Sequence, residues 1–211
     1  MDENLIVQEN PPGEIPQLEN LLINANQLNL LFKIAKAYAK SSMVPTTYQS
    51  NVDNCFIAVE LAARMNVSCM FVMNNLYIVQ GRPAWAGQAC KALIDGCGKF
   101  INSEYIFVGV ENSAEWGCFM QAVNKKTGKT IKGTTITWKM ALDEGWVKKN
   151  GSKWKTFPEQ MFKYRAAAFF ARTECPEILM GYQTADEIED INGARPEPEK
   201  VVLVMDDVED N

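Results

Sequence analysis

The chain has no histidine. Its 211 residues include 21 Lys and Arg, 26 Asp and Glu and no His, for a formal net charge of -5. That absence removes the usual general base, the Ser-His and Cys-His nucleophile pairs and every His-ligated zinc or iron centre. The six cysteines, at 55, 69, 90, 97, 118 and 175, never fall two to four residues apart, so neither a zinc knuckle nor a thioredoxin-type motif is present. Their apolar neighbours point to buried free thiols. No apolar run reaches the roughly 18 residues of a membrane span. Residues 1–20 lack the basic start and apolar core of a signal peptide, and the expected location is the cytoplasm. Gly128-Lys129-Thr130 imitates the end of a phosphate-binding loop, but Val123 stands where its first glycine belongs. Gly96-Cys97-Gly98 follows a predicted helix, the wrong side for a dinucleotide fingerprint. Acidic residues in the central part are scattered, which gives no evident two-metal cluster.

Charge is arranged in three blocks. Residues 1–20 carry five acids and no base, residues 183–211 carry ten acids against Arg195 and Lys200, and residues 21–182 hold a net +8. Within that body, residues 121–172 contain ten Lys, Arg165 and Arg172 against three acids. The same stretch includes Trp138, Trp146, Trp154, Phe157, Phe162, Tyr164, Phe169 and Phe170. Cations interleaved with rings fit a single-stranded nucleic acid, whose phosphates need neutralising and whose unpaired bases need a stacking surface. The same composition also fits a lysine-rich solvated surface over an aromatic core.

Periodicity predicts helices over 18–40, 52–65, 86–94, 139–144 and 158–174, the last opened by Pro158. Strands are predicted over 76–79, 105–110, 116–123 and 130–138, the last two joined by a hairpin turn at 124–129. The expected fold is α+β, a small antiparallel three-strand meander packed against helices. The expected organisation is a disordered acidic tail over 1–20, a core over 21–185 and an acidic tail over 186–211. On the last long helix Arg165 and Arg172, seven apart, share one face.

Three passages are distinctive as an ordered set. They are Asn54-Cys55-Phe56-Ile57-Ala58-Val59-Glu60-Leu61-Ala62; Asn75-Leu76-Tyr77-Ile78-Val79-Gln80-Gly81-Arg82-Pro83; and Trp154-Lys155-Thr156-Phe157-Pro158-Glu159-Gln160-Met161-Phe162-Lys163-Tyr164-Arg165-Ala166-Ala167-Ala168-Phe169. In this order and spacing, over roughly residues 30–185, the chain resembles the RecT family of phage and prophage single-strand annealing proteins. The resemblance implies an ATP-independent recombinase, without a cofactor, that binds single-stranded DNA, assembles into rings or helical filaments and anneals complementary strands. It implies as partners a 5′-to-3′ exonuclease and the host single-strand-binding protein, and as fold that of the RecT/Red-beta annealing superfamily. It also marks Arg82 as the basic position of the second passage.

The expected site is a groove between the hairpin and the last helix. Arg165 and Arg172 would clamp phosphates with their planar forks. Lys125, Lys126, Lys129 and Lys132 would form one wall, and Lys153, Lys155 and Lys163 the other. Trp154 or Tyr164 would stack a base or serve the core. Two other classes remain: a magnesium-dependent enzyme acting on nucleic acid, which requires carboxylates converging beside the basic groove, and a structural assembly protein. The strip Val201-Val202-Leu203-Val204-Met205 with the acids after it reads as a partner-docking strand, a competitor for the basic groove or a solubilising tail.

Overall fold

The computed structural model describes residues 25–191. The segment 1–20 and the strip 201–205 lie outside the described residues. Helix α1, Ala25–Ala39, and helix α2, Val52–Met65, pair through small side chains, with Leu31, Ala35 and Ala39 buried on one and Cys55, Ala58, Val59 and Ala62 on the other. Asn51 caps α2 by accepting from the Asn54 amide at 2.9 Å, and Asn66 ends it in the left-handed region at φ 52°. A short helix α3, Cys69–Asn75, starts on Ser68, whose Oγ accepts from the Phe71 amide.

Two small sheets follow in place of one meander. In the first, β1 (Leu76–Val79) pairs antiparallel with β2 (Arg82–Trp85), and β7 (Gln183–Thr184) joins β2 in parallel. Gln80 and Gly81 both have positive φ, 51° and 75°, the two-residue turn whose twist suits a hairpin. Beyond that turn Arg82 and Pro83, where no strand is predicted, already pair with Val79 and Ile78 as the start of β2. Helix α4, Gly87–Gly96, leads to the second sheet, where β3 (Phe100–Val108), β4 (Gly117–Asn124) and β5 (Thr130–Lys132) run antiparallel. Strand β6 (Ile136–Thr137) pairs with β4 beyond β5. The expected continuous strand over 130–138 is interrupted at Gly133, where a Cβ would lie 2.9 Å from the Phe170 ring and 3.1 Å from the Met120 carbonyl oxygen. Only glycine lets the chain pass so close to the last long helix.

After helix α5 (Trp138–Asp143) and two 3-10 turns (Trp146–Lys148 and Lys153–Lys155) comes helix α6, Pro158–Glu174. It is apolar around most of its circumference and buried accordingly: Phe162, Ala166, Ala167, Ala168, Phe170 and Ala171 are all inaccessible between α4 and β4. A 3-10 turn, Pro176–Leu179, leads to β7 and then to helix α7, Ala185–Ile191. Helix α7 crosses the expected boundary at 185, so the start of the acidic C-terminal segment belongs to the folded body.

All six cysteines are free thiols, with Cys55, Cys90, Cys118 and Cys175 buried. Among the described residues no single helix is long and apolar enough to cross a membrane; α2 and α3 meet that test only jointly, across a 117° bend, and both contribute side chains to the core.

Candidate nucleic-acid interface

The site is built on an aromatic floor. Trp146 stacks on Trp154, centroids 5.6 Å apart, and Trp154 meets Phe162 edge-on at 4.9 Å. Trp116 and Trp138 pack against Phe162 as well. The two inward-pointing indoles draw the two 3-10 turns onto the body, while Ser152 ties them together by donating to the Trp146 carbonyl at 2.7 Å and accepting from the Trp154 amide. Between the indoles Val147 is buried as well, and the lysines face outward. Lys148, Lys153 and Lys155 are exposed, Lys149 is half-buried, and with Asn150 and Thr156 they line a cleft of about 490 Å³. Phe157, beside this lysine rim, is 57% exposed, whereas the indoles of the floor at Trp146 and Trp154 are buried.

The floor changes the expected role of Trp154. With 2% of its surface accessible it belongs to the core, and no base can stack on it in this conformation. Tyr164 is half-buried with its hydroxyl accepting from the Gln160 amide group at 2.7 Å, and its Cβ presses on α4 at Gly87.

The two arginines differ most from expectation. Arg165 is 3% exposed, with its guanidinium 4.1 Å from the Trp146 ring centroid. It pairs with Asp190 at 2.6 Å and lies 3.9 Å from Asp186. Arg172 presents Nε and a terminal nitrogen to the two carboxylate oxygens of Glu187. Neither stands free to clamp a phosphate, because the acids of α7 already occupy both.

The lysines expected to face each other across a groove stand at opposite ends of α6. Lys125, Lys126 and Lys129 are exposed on the β4–β5 turn, which is shaped by the Asn124 side chain accepting from the Lys126 and Thr127 amides and by Gly128 at φ 67°. That turn adjoins the C-terminal end of α6: the Lys125 amide donates to the Lys99 carbonyl, and the Lys99 ammonium donates to that of Glu174. Lys153 and Lys155 border its N-terminal end, where the Phe157 amide donates to the Lys153 carbonyl at 2.7 Å. Seventeen residues of helix separate the two groups by about 25 Å. Lys132 and Lys163 are engaged by rings, 4.1 Å from the Phe119 centroid and 5.6 Å from that of Phe107. Arg82 is exposed at the tip of the other hairpin, in the first sheet.

The chain matches no family model, no curated protein and no solved structure.

Chemically, the cleft is equipped to hold anions and little else. Its charged groups are the ammonium ions of Lys148, Lys153 and Lys155, together with that of Lys149, which is paired with Asp190, on short turns anchored by the indoles beneath; exposed Phe157 follows Thr156 of the lining. Among the described residues no group of three or more His, Cys, Asp or Glu is placed to hold a metal ion. The buried thiols are held in the protonated form. Burial pushes Cys90 and Cys175 up to about 12 and Cys118 up to about 11, the last in spite of the nearby Lys163 ammonium. Lys148, Lys149 and Phe157 were visible in sequence only as members of the basic, aromatic stretch. What singles them out is the alternation of buried indole and outward lysine through residues 146–157, which has neither helical nor strand period.

Proposed function

We propose that this protein is an ATP-independent single-strand annealing protein of the RecT type. It would bind single-stranded DNA and bring complementary strands together, acting as an oligomeric ring or filament in the cytoplasm of a bacterial or phage-infected cell. The observation that carries the proposal is the lysine-lined cleft, with exposed Phe157 next in sequence to its lining residue Thr156. Ammonium groups neutralise phosphates without reading sequence, and an exposed ring stacks an unpaired base of any identity. The antiparallel β3–β5 arrangement against helices is compatible with the fold that the sequence resemblance implies, that of the RecT/Red-beta superfamily.

Annealing of this kind needs no proton transfer and no nucleotide. The protein holds two strands by their backbones with base edges open, and pairing itself supplies the free energy. A chain without histidine loses nothing by it. The partners that go with this reading are a 5′-to-3′ exonuclease that produces the strand and the host single-strand-binding protein.

The test mixes complementary oligonucleotides with the protein, without ATP, over a salt series, and follows duplex formation and strand length. Faster pairing with intact strands supports annealing. Shortened strands would identify a nuclease instead, and pairing at the uncatalysed rate would point to an assembly role.

A further inference from the structure

Helix α7 has four acids in seven residues, and three of them meet cations on other elements. Asp190 pairs with both Lys149 and Arg165, Asp186 lies beside Arg165, and Glu187 takes the fork of Arg172. Lys149 also lines the basic cleft, so the row Lys149, Arg165, Arg172 continues that cleft along α6. We infer that this row is a second phosphodiester site, occupied in this structure by the carboxylates of α7, which a single strand bound in the cleft displaces. The inference rests on the nucleic-acid reading of the cleft and concerns how far the bound strand extends.

The exchange is charge for charge. A guanidinium that offers two parallel donors to a carboxylate offers the same pair to a phosphate, and Arg172 already makes that two-pronged contact with Glu187. Arg165 and Arg172 lie about 10 Å apart along the helix, within reach of one strand passing over both. The Trp146 ring beneath Arg165 holds the guanidinium by its face, an interaction that does not depend on the carboxylates.

The cover is also incompletely bonded. Ile188 is the one apolar side chain of α7 that is fully buried among its described side chains. Glu187 accepts from the Thr184 amide as half of a capping box, but the Thr184 hydroxyl does not return the contact. That hydroxyl, Nε of Arg165 and the indole nitrogen of Trp146 are all buried without a hydrogen-bond partner among the described residues. Two of them adjoin α7, Nε of Arg165 beside Asp186 and the Thr184 hydroxyl just before the helix, and their desolvation is not offset where α7 now sits, which lowers the cost of moving it.

Amide hydrogen exchange of the full chain, with and without oligothymidylate, tests the displacement. Bound strand should speed exchange over residues 185–191 while slowing it over 148–156. In parallel, the Glu187→Gln, Asp190→Asn chain should bind oligothymidylate about tenfold more tightly at low salt, the scale of a few partly exposed ion pairs. Glu189→Gln, exposed on the same helix, controls for loss of an acid from α7 outside the ion pairs and should stay within about twofold of wild type. Wild-type binding with unchanged or slower exchange over 185–191 overturns the inference and leaves the nucleic-acid reading intact. So does a neutralised chain that folds and binds no more tightly than the Glu189→Gln control. No binding by the wild-type chain removes both. The exchange measurement uses the unaltered protein, so it decides the matter even if the double variant does not fold.

Discussion

Replacing Arg165 with alanine should damage folding before it damages binding. The side chain is 4% exposed, pairs with Asp190 at 2.6 Å, approaches Asp186 and covers the face of Trp146. Breaking a buried pair by removing one partner costs about 3–5 kcal/mol. Here the abandoned carboxylates are 21% and 31% exposed and can recover some hydration, so the lower end, about 3 kcal/mol, applies. The lost ring contact and the buried aliphatic stem are part of that figure. For a chain of this size each 1 kcal/mol moves the melting temperature by about 2–4 °C, and the expected fall is about 6–12 °C. Urea unfolding followed by tryptophan fluorescence is the assay, since Trp146 lies directly under the perturbed group. Arg165→Lys, which keeps the charge but not the fork or the planar stack, should lie between wild type and alanine. A stability loss below about 1 kcal/mol for Arg165→Ala, the range of an exposed pair, would falsify the structural role and return Arg165 to the surface.

The other expectations concern the cleft and the buried acids. Lys148→Gln, Lys153→Gln and Lys155→Gln should each lower the slope of log affinity against log salt by about 0.7 for single strands; slopes equal to wild type would mean the cleft does not hold phosphate. Phe157→Ala should weaken single-strand binding by about 1–3 kcal/mol, with Phe157→Trp retaining it, and equal affinity of the two variants would exclude stacking at this rim. With a thiol-disulfide reagent on native protein, only the partly exposed Cys69 and Cys97 should react rapidly; a count of six at the first time point would contradict the burial of the other four. Stability should erode in alkali. Cys90, Cys118 and Cys175 are raised by burial from an ordinary value of 9.0 to about 12, 11 and 12, and Tyr48 from 10.0 to about 12. Their contribution is complete below about pH 9, where neither state ionises, and is lost as pH rises toward 12, because the unfolded chain releases these protons first. A flat stability profile from pH 8 to 11 would contradict that.

The long periodic helices and the strand 76–79 were legible because their signals are local. Pro158 at a first helical turn specifies a boundary without reference to the rest of the chain, and the apolar stripe of 52–65 does nearly as much. The missed elements depend on partners distant in sequence. Strand β7 is two residues long and exists only because β2 is there to pair with. The gap between β5 and β6 is set by Phe170, nearly forty residues later in sequence. Strand β3 starts at Phe100, ahead of the predicted 105, because an irregularity between Ile101 and Glu104, with Asn102 at positive φ, breaks the alternation on which the prediction rests.

For the site, charge counted along the chain proved different from charge counted in space. The stretch 121–172 is strongly basic in sequence, yet its two arginines are neutralised by acids of a segment that reads as a tail, and its lysines divide between the two ends of one buried helix. Nothing local distinguishes Arg165 from Lys163. The first faces Trp146 and α7, the second faces the sheet at Phe107, and which is which depends on the rotation of α6 between α4 and β4. The aromatic residues mislead in the same way. Trp154 carries the larger ring and is the natural choice for stacking, but its size is what makes it valuable to the floor, and the smaller Phe157 at the helix entry is left outside. A basic, aromatic composition therefore marks the segment that carries the proposed cleft. Selecting residues within it required knowing which rings the fold had already used, and which cations were already paired.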